Sequence, residues 1–133
     1  MSTAAKKAAA LDQSLRAELQ ALKQIQQDIQ SNQAAQAKLI QQKSENEMVL
    51  KELDLAHEDA KVYKLIGPTL IKQDPVEAKS NVNKRLEFIN GELSRLDARL
   101  TAHQDKASKR QQQAIMYQQE LQKMQPAGDA QAT

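Results

Sequence analysis

The chain has 133 residues, 19 basic and 17 acidic, a net charge of +2, only 2% aromatic residues and no cysteine. The charge balance gives no electrostatic steer toward nucleic acid or an anionic membrane. The missing cysteines exclude a disulfide scaffold or a thiolate-held zinc ion and fit a reducing compartment. With Tyr63, Phe88 and Tyr117 as the only aromatics, there is little bulk to fill a globular core, so the expectation is an elongated shape with a thin core.

Residues 1–10 carry Lys6 and Lys7 but no apolar stretch that would make a secretory signal. No apolar run approaches the length of a membrane span, so no membrane partner is expected and the expected location is cytoplasmic. Residues 1–66 contain neither Gly nor Pro, which predicts one uninterrupted helix over about 8–58 after a flexible tail at 1–7. Steps of four and three residues pass through Leu11, Leu15, Glu18, Leu22, Ile25, Ile29, Asn32, Gln36, Leu39, Lys43, Asn46, Leu50 and Leu53. A mean repeat of 3.5 residues marks a left-handed coiled-coil seam.

Lys61-Val62-Tyr63-Lys64-Leu65-Ile66 and Thr69-Leu70-Ile71-Lys72-Gln73 flank Gly67-Pro68. Both flanks are β-branched or apolar, and Gly can take the positive φ of the first position in a II′-like turn, with Pro following. This predicts a hairpin over 61–73 with Ile66 facing Thr69, Leu65 facing Leu70 and Lys64 facing Ile71. Asp74-Pro75-Val76-Glu77 then supplies an N-cap acceptor, a proline at the first helical position and an acid in the first turn. A second helix is expected over 75–124, with a flexible tail at 125–133. Its seam runs through Val82, Leu86, Ile89, Leu93, Leu96, Leu100, His103, Ala107, Arg110, Ala114, Tyr117, Leu121 and Met124. Gly91 falls on the outermost heptad position, where it costs about 1 kcal/mol and is tolerated. The fold class is therefore mostly α: a long antiparallel two-helix coiled coil, each helix about 70 Å long, with one β-hairpin between the helices.

Oligomerisation has to complete it. One hairpin face shows Tyr63, Leu65 and Leu70, and the other Val62, Ile66 and Ile71, so both faces are apolar. A lone two-stranded sheet is marginal in water and leaves two unpaired edges. The hairpin residues, including Gly67 and Pro68, are thus expected to join other chains. Met48, Val49, Leu55 and Phe88, apolar but off the seam, would support that surface. Connecting the helices through the hairpin brings Leu53 near Val82, Leu39 opposite Leu96 and Asn32 opposite His103. The polar seam positions Asn32, Gln36, Lys43 and Asn46 would fix this register. Leu19, Ile115 and Met116 lie off the seam near the free helix ends, either as a contact surface or as scattered surface hydrophobes.

No phosphate-binding glycine loop, zinc-protease motif or nucleophile elbow occurs, so no enzyme activity is expected, and catalytic, cofactor and metal sites are all expected to be none. His57 and His103 stand at different heights. A core histidine at 103, paired with Asn32, is favoured over a ligand. Lys84-Arg85 and Lys109-Arg110 read as solvated faces, with no nucleic-acid partner expected.

Over Val62–Asp97, roughly a quarter of the chain, the segments YKLIGP (63–68), LIKQ (70–73) and KRLEFI (84–89) resemble the prefoldin family, in particular its β class and most closely the subunit 6 branch. The resemblance implies a heterohexamer with other prefoldin subunits, built on a double β-barrel of hairpins. Family members capture unfolded proteins such as actin and tubulin with their coiled-coil tips, without ATP. They deliver them to the cytosolic group II chaperonin. Room for a single hairpin fits the β class. By location, the client-contact tips would be Leu11, Leu15, Leu19, Ile115, Met116, Tyr117, Leu121 and Met124. The alternative reading is a structural coiled-coil scaffold subunit that binds no client of its own.

Overall fold

A computed structural model describes residues 2–124. The chain order is α1 (Thr3–Leu55), β1 (Val62–Ile66), β2 (Thr69–Gln73) and α2 (Pro75–Met124). This is the expected pair of long helices with one antiparallel hairpin between them. The expected tail at 125–133 lies outside the described residues.

The first helix starts earlier and stops earlier than the 8–58 expected. Ser2 caps it: its Oγ accepts from the backbone N–H of Ala5 at 3.1 Å, and its carbonyl accepts from that of Lys6 at 3.1 Å. The cap and the alanines that follow, the best helix formers, make residues 3–7 helical, not a tail. At the other end there is no C-terminal glycine. The chain instead leaves the helix after Leu55 and closes a turn in which Ala60 N–H donates to the His57 carbonyl at 3.0 Å. The start of α2 is as its sequence announces. Asp74 Oδ1 accepts from Val76 N–H at 3.3 Å and the Asp74 carbonyl from Ala78 N–H at 2.9 Å. Pro75 stands at the first helical position, where a missing N–H costs nothing.

The hairpin register is the expected one, with Ile66 paired to Thr69, Leu65 to Leu70 and Lys64 to Ile71, extending to Val62 with Gln73. Gly67 sits at φ +57°, the left-handed region that an L side chain reaches only with strain. Space is not the issue there, because a Cβ at Gly67 would meet nothing within 4 Å.

The described residues divide into two compact units. Unit one holds residues 2–32 and 99–124, and unit two residues 33–98, which include the hairpin. In both, α1 and α2 pack along the predicted seam. All thirteen α1 seam residues are withdrawn from full exposure, as are all of the α2 set except Arg110. Arg110 reaches across unit one to bond both Glu18 carboxylate oxygens at 3.2 Å. In unit two, Gln36 Nε2 donates to Asp97 Oδ1 at 2.6 Å and Lys79 pairs with Asp54 at 3.4 Å. Gly91 is half-buried rather than open, because the Arg95 side chain, ion-paired with Glu92, lies 3.6 Å from where its Cβ would be.

The core is thin. Among the described residues the buried apolar side chains are Ala78, Val82, Ile89, Leu96 and Ala114, and no large side chain is fully enclosed. The polar seam residues do less for register than expected. Gln36 crosses to the other helix, but Asn46 Nδ2 turns back to its own helix and donates to the Gln42 carbonyl at 2.7 Å. Asn32 is 93% buried and its Oδ1 has no partner, so the expected bond from His103 does not reach that oxygen.

Two outcomes follow. Leaving a buried acceptor unpaired costs about 1–3 kcal/mol. Asn32→Leu should therefore raise the thermal unfolding midpoint followed by circular dichroism; a lower midpoint would show that the amide is worth more than its desolvation. Gly67→Ala should destabilise the hairpin by about 1–2 kcal/mol through backbone strain alone, seen as faster amide exchange at Lys64 and Ile71, a hydrogen-bonded pair of the ladder, with the helices unaffected.

Candidate assembly surface and tip groove

Unit two carries an uncovered apolar surface around the hairpin. Both faces of the sheet are open: Tyr63 is 51% exposed, Leu65 69% and Leu70 64% on one, Ile66 50% and Ile71 47% on the other. The helices add Met48, Val49, Leu55 and Phe88, all exposed as the sequence suggested, and Val76, which the sequence reading did not single out. Val76 could have been found from its place, two residues after the Asp74 cap and close in sequence to the end of the hairpin's return strand at Gln73. Val62 is half-buried, and a cleft lined by Val49, Leu53, Tyr63, Leu65, Ala78 and Val82 opens between strand β1 and the two helices. Burying one such Leu or Phe side chain is worth about 1.5–3 kcal/mol. The sum over this surface is large beside the core that unit two encloses by itself. The sheet has only two strands, so each has an outer edge of backbone donors and acceptors free to pair with another chain.

Unit one gathers some of the expected tip residues and separates others. Leu15, Leu19 and Leu22 of α1 and Ala114 and Ile115 of α2 form a groove whose polar lining is Gln26, Gln111 and Gln118. No charged side chain lines it. Leu19 and Ile115 are 51% and 46% exposed. Met116, 53% exposed, does not line the groove, although the register that sets Asn32 opposite His103, carried on to the helix ends, puts it roughly opposite Leu19. The reason is helical phase: on α2 it is Ile115, one residue earlier, that turns toward Leu19. Leu11, Leu15, Tyr117, Leu121 and Met124 are half-buried along the seam; of these, Leu15 also reaches the groove.

His103 is half-buried within the seam of unit one, and His57 lies in the turn after α1. Among the described residues no three His, Cys, Asp or Glu side chains gather as a metal site would require. No helix there is long and apolar enough to cross a membrane.

Residues 16–125 match the family model described as prefoldin subunit. The chain belongs to the prefoldin subunit family. It is 51% identical over 111 residues to prefoldin subunit 6 of Arabidopsis thaliana, an alignment covering 84% of this chain and 85% of that protein. It is 38% identical to the probable prefoldin subunit 6 of Drosophila melanogaster, over 81% of this chain and 92% of the relative. With human prefoldin subunit 6 the identity is 32%, over 88% and 91%. Among solved structures, the prefoldin beta subunit from Thermococcus strain KS-1 shares the fold, with a TM-score of 0.71 at 23% identity over 75% of this chain and 88% of that one. The resemblance seen in the hairpin segments therefore extends through both helices, and the chain is a chaperone-family subunit.

The open hairpin gives this prefoldin-family chain a testable dependence on partners. Leu65→Glu combined with Leu70→Glu should leave its helical circular dichroism intact and exclude it from a complex reconstituted with partner subunits, read by size-exclusion chromatography with light scattering. Normal incorporation would show that this face of the sheet stays in water.

Proposed function

We propose that this chain is a β-class subunit of a heterohexameric, ATP-independent co-chaperone. In this reading the hexamer captures unfolded proteins, actin and tubulin among them, and delivers them to the cytosolic group II chaperonin. Its two apolar surfaces have separate tasks. The hairpin, with Met48, Val49, Leu55 and Phe88 beside it, joins the other prefoldin subunits. The groove at the coiled-coil tip takes part in holding the client.

The observation that carries the client-holding role is the chemistry of the tip groove. Its leucine and isoleucine floor is open to solvent, and its polar lining is glutamine. A glutamine amide both donates and accepts, so it can meet an extended backbone in either direction. Having no charge in the groove avoids selecting for the charge of the client. Each contact is weak, but several tips held on one body act at high effective concentration on a single unfolded chain. ATP has no part in this mechanism: binding rests on apolar burial, and release on competition by the chaperonin.

The test is a hexamer reconstituted with Leu19→Gln, Ile115→Gln and Met116→Gln in this chain alone. Aggregation of unfolded actin should need about tenfold more of this complex to suppress, a loss of about 1.4 kcal/mol in client binding. Met116→Gln by itself should contribute least, because that side chain lies outside the groove. Undiminished suppression by the triple variant would leave the chain as a scaffold subunit whose tips hold nothing.

A further inference from the structure

The seam of unit one is unevenly filled. On α1 it carries Leu15, Leu22, Ile25 and Ile29. On α2 the successive seam positions His103, Ala107, Arg110 and Ala114 hold no large aliphatic side chain. The tip groove opens on this stretch, where Leu15 and Leu22 line it together with Ala114. An alanine methyl is too small to cover a leucine, so leucines that a larger neighbour would have closed over become groove floor. The same shortage has a second effect. Apolar packing is what holds paired helices together, and it is weak on the α2 side just where the two walls of the groove must be kept in place.

One contact offsets this weakness. Arg110 Nη1 lies 3.2 Å from both carboxylate oxygens of Glu18, across the seam. Among the described residues of unit one no other ion pair joins the two helices; Asp12 and Arg16 pair within α1. The Glu18 side chain is only 14% exposed, so a lost partner would leave a charge largely shut off from water. The pair adjoins the groove without entering it. Glu18 precedes Leu19 and stands one turn from Leu15 and Leu22, while Arg110 precedes Gln111 and stands one turn from Ala114. Neither charged side chain lines the groove.

We infer that Glu18 and Arg110 are the positioning pair of the tip groove. They hold the wall that carries Leu19 to the wall that carries Ile115, and they touch no client themselves. Their charge also fixes alignment: a slip of α2 along α1 moves the guanidinium off Glu18 and leaves both charges unpaired. The inference rests on the client-holding role proposed above and adds which residues keep that groove in shape.

Arg110→Gln tests this in the reconstituted complex. The amides of Leu19, Leu22, Ala114 and Ile115 should exchange faster. Aggregation of unfolded actin should need about fivefold more complex to suppress, less than a fully buried pair would cost because Arg110 is half-exposed. Glu18→Arg with Arg110→Glu should restore both readouts, which damage to local packing alone would not allow. Glu18→Leu with Arg110→Leu should restore them too, because two leucines can tie the helices as well as a withdrawn ion pair does. Capture lost in the leucine variant while its tip amides stay protected would show that the charges themselves meet the client, and would overturn the inference. Undiminished capture by Arg110→Gln would also overturn it, whatever the amides do. The complex carrying Leu19→Gln, Ile115→Gln and Met116→Gln separates this outcome from failure of the role beneath it. If that complex is impaired and Arg110→Gln is not, only the positioning pair falls; if neither is impaired, the client-holding role falls with it.

Discussion

A two-stranded sheet has two faces and two edges, and this chain can cover very little of them itself. Only Val62 and Gln73 in the strands are drawn even half out of solvent. The apolar residues at Tyr63, Leu65, Ile66, Leu70 and Ile71 are therefore tolerable only if another surface takes them out of water. The thin seam of the helices sharpens the constraint. A helix pair in two layers offers each side chain one neighbour layer and solvent behind it, so even the seam leucines remain mostly half-buried. Little stability is left over to offset an exposed sheet.

Much of this was legible in the sequence because it rests on local chemistry. The 3.5-residue repeat fixes which side of each helix is covered, and every seam residue but Arg110 is withdrawn from full exposure. The Gly67-Pro68 turn fixes the register of both strands. The Asp74-Pro75 pair fixes the start of α2. The misplacements fall where local signals were weak. Ser2 gives no cap signal in the sequence, because the alanine-rich run after it shows no apolar period. The end of α1 has no glycine to mark it. The phase of Met116 against Ile115 could not be settled by a register good only to a residue or two, since one residue turns a side chain by about 100° at 3.6 residues per turn.

The polar seam residues show a limit of a different kind. Asn32, Gln36, Lys43 and Asn46 interrupt the seam of α1, and from the sequence all four suggest a register-fixing role, with Asn32 paired to His103. Whether a side-chain amide bonds across, back to its own turn or to nothing depends on rotamers and on what faces it, not on spacing. Gln36 finds Asp97, Asn46 finds its own helix, and Asn32 Oδ1 finds no partner. An asparagine on a seam can still act on specificity without bonding well. It weakens alternative alignments that would bury it against leucine, at a cost to stability in the native one.

The two apolar surfaces also differ in how selective their chemistry can be. Around the hairpin, side chains alternate on a sheet whose backbone edges demand pairing in register. A partner must match shape and hydrogen bonds together, and a mismatch in either leaves buried groups unpaired. The groove of unit one asks for none of this. It has no backbone edge and no charge, and its glutamines are flexible enough to serve many backbones. The same apolar driving force thus supports a selective contact where polar groups frame it, and a tolerant one where they do not. The role proposed for the chain calls for both kinds: a selective surface for fixed neighbours at the hairpin and a tolerant one for varied clients at the groove.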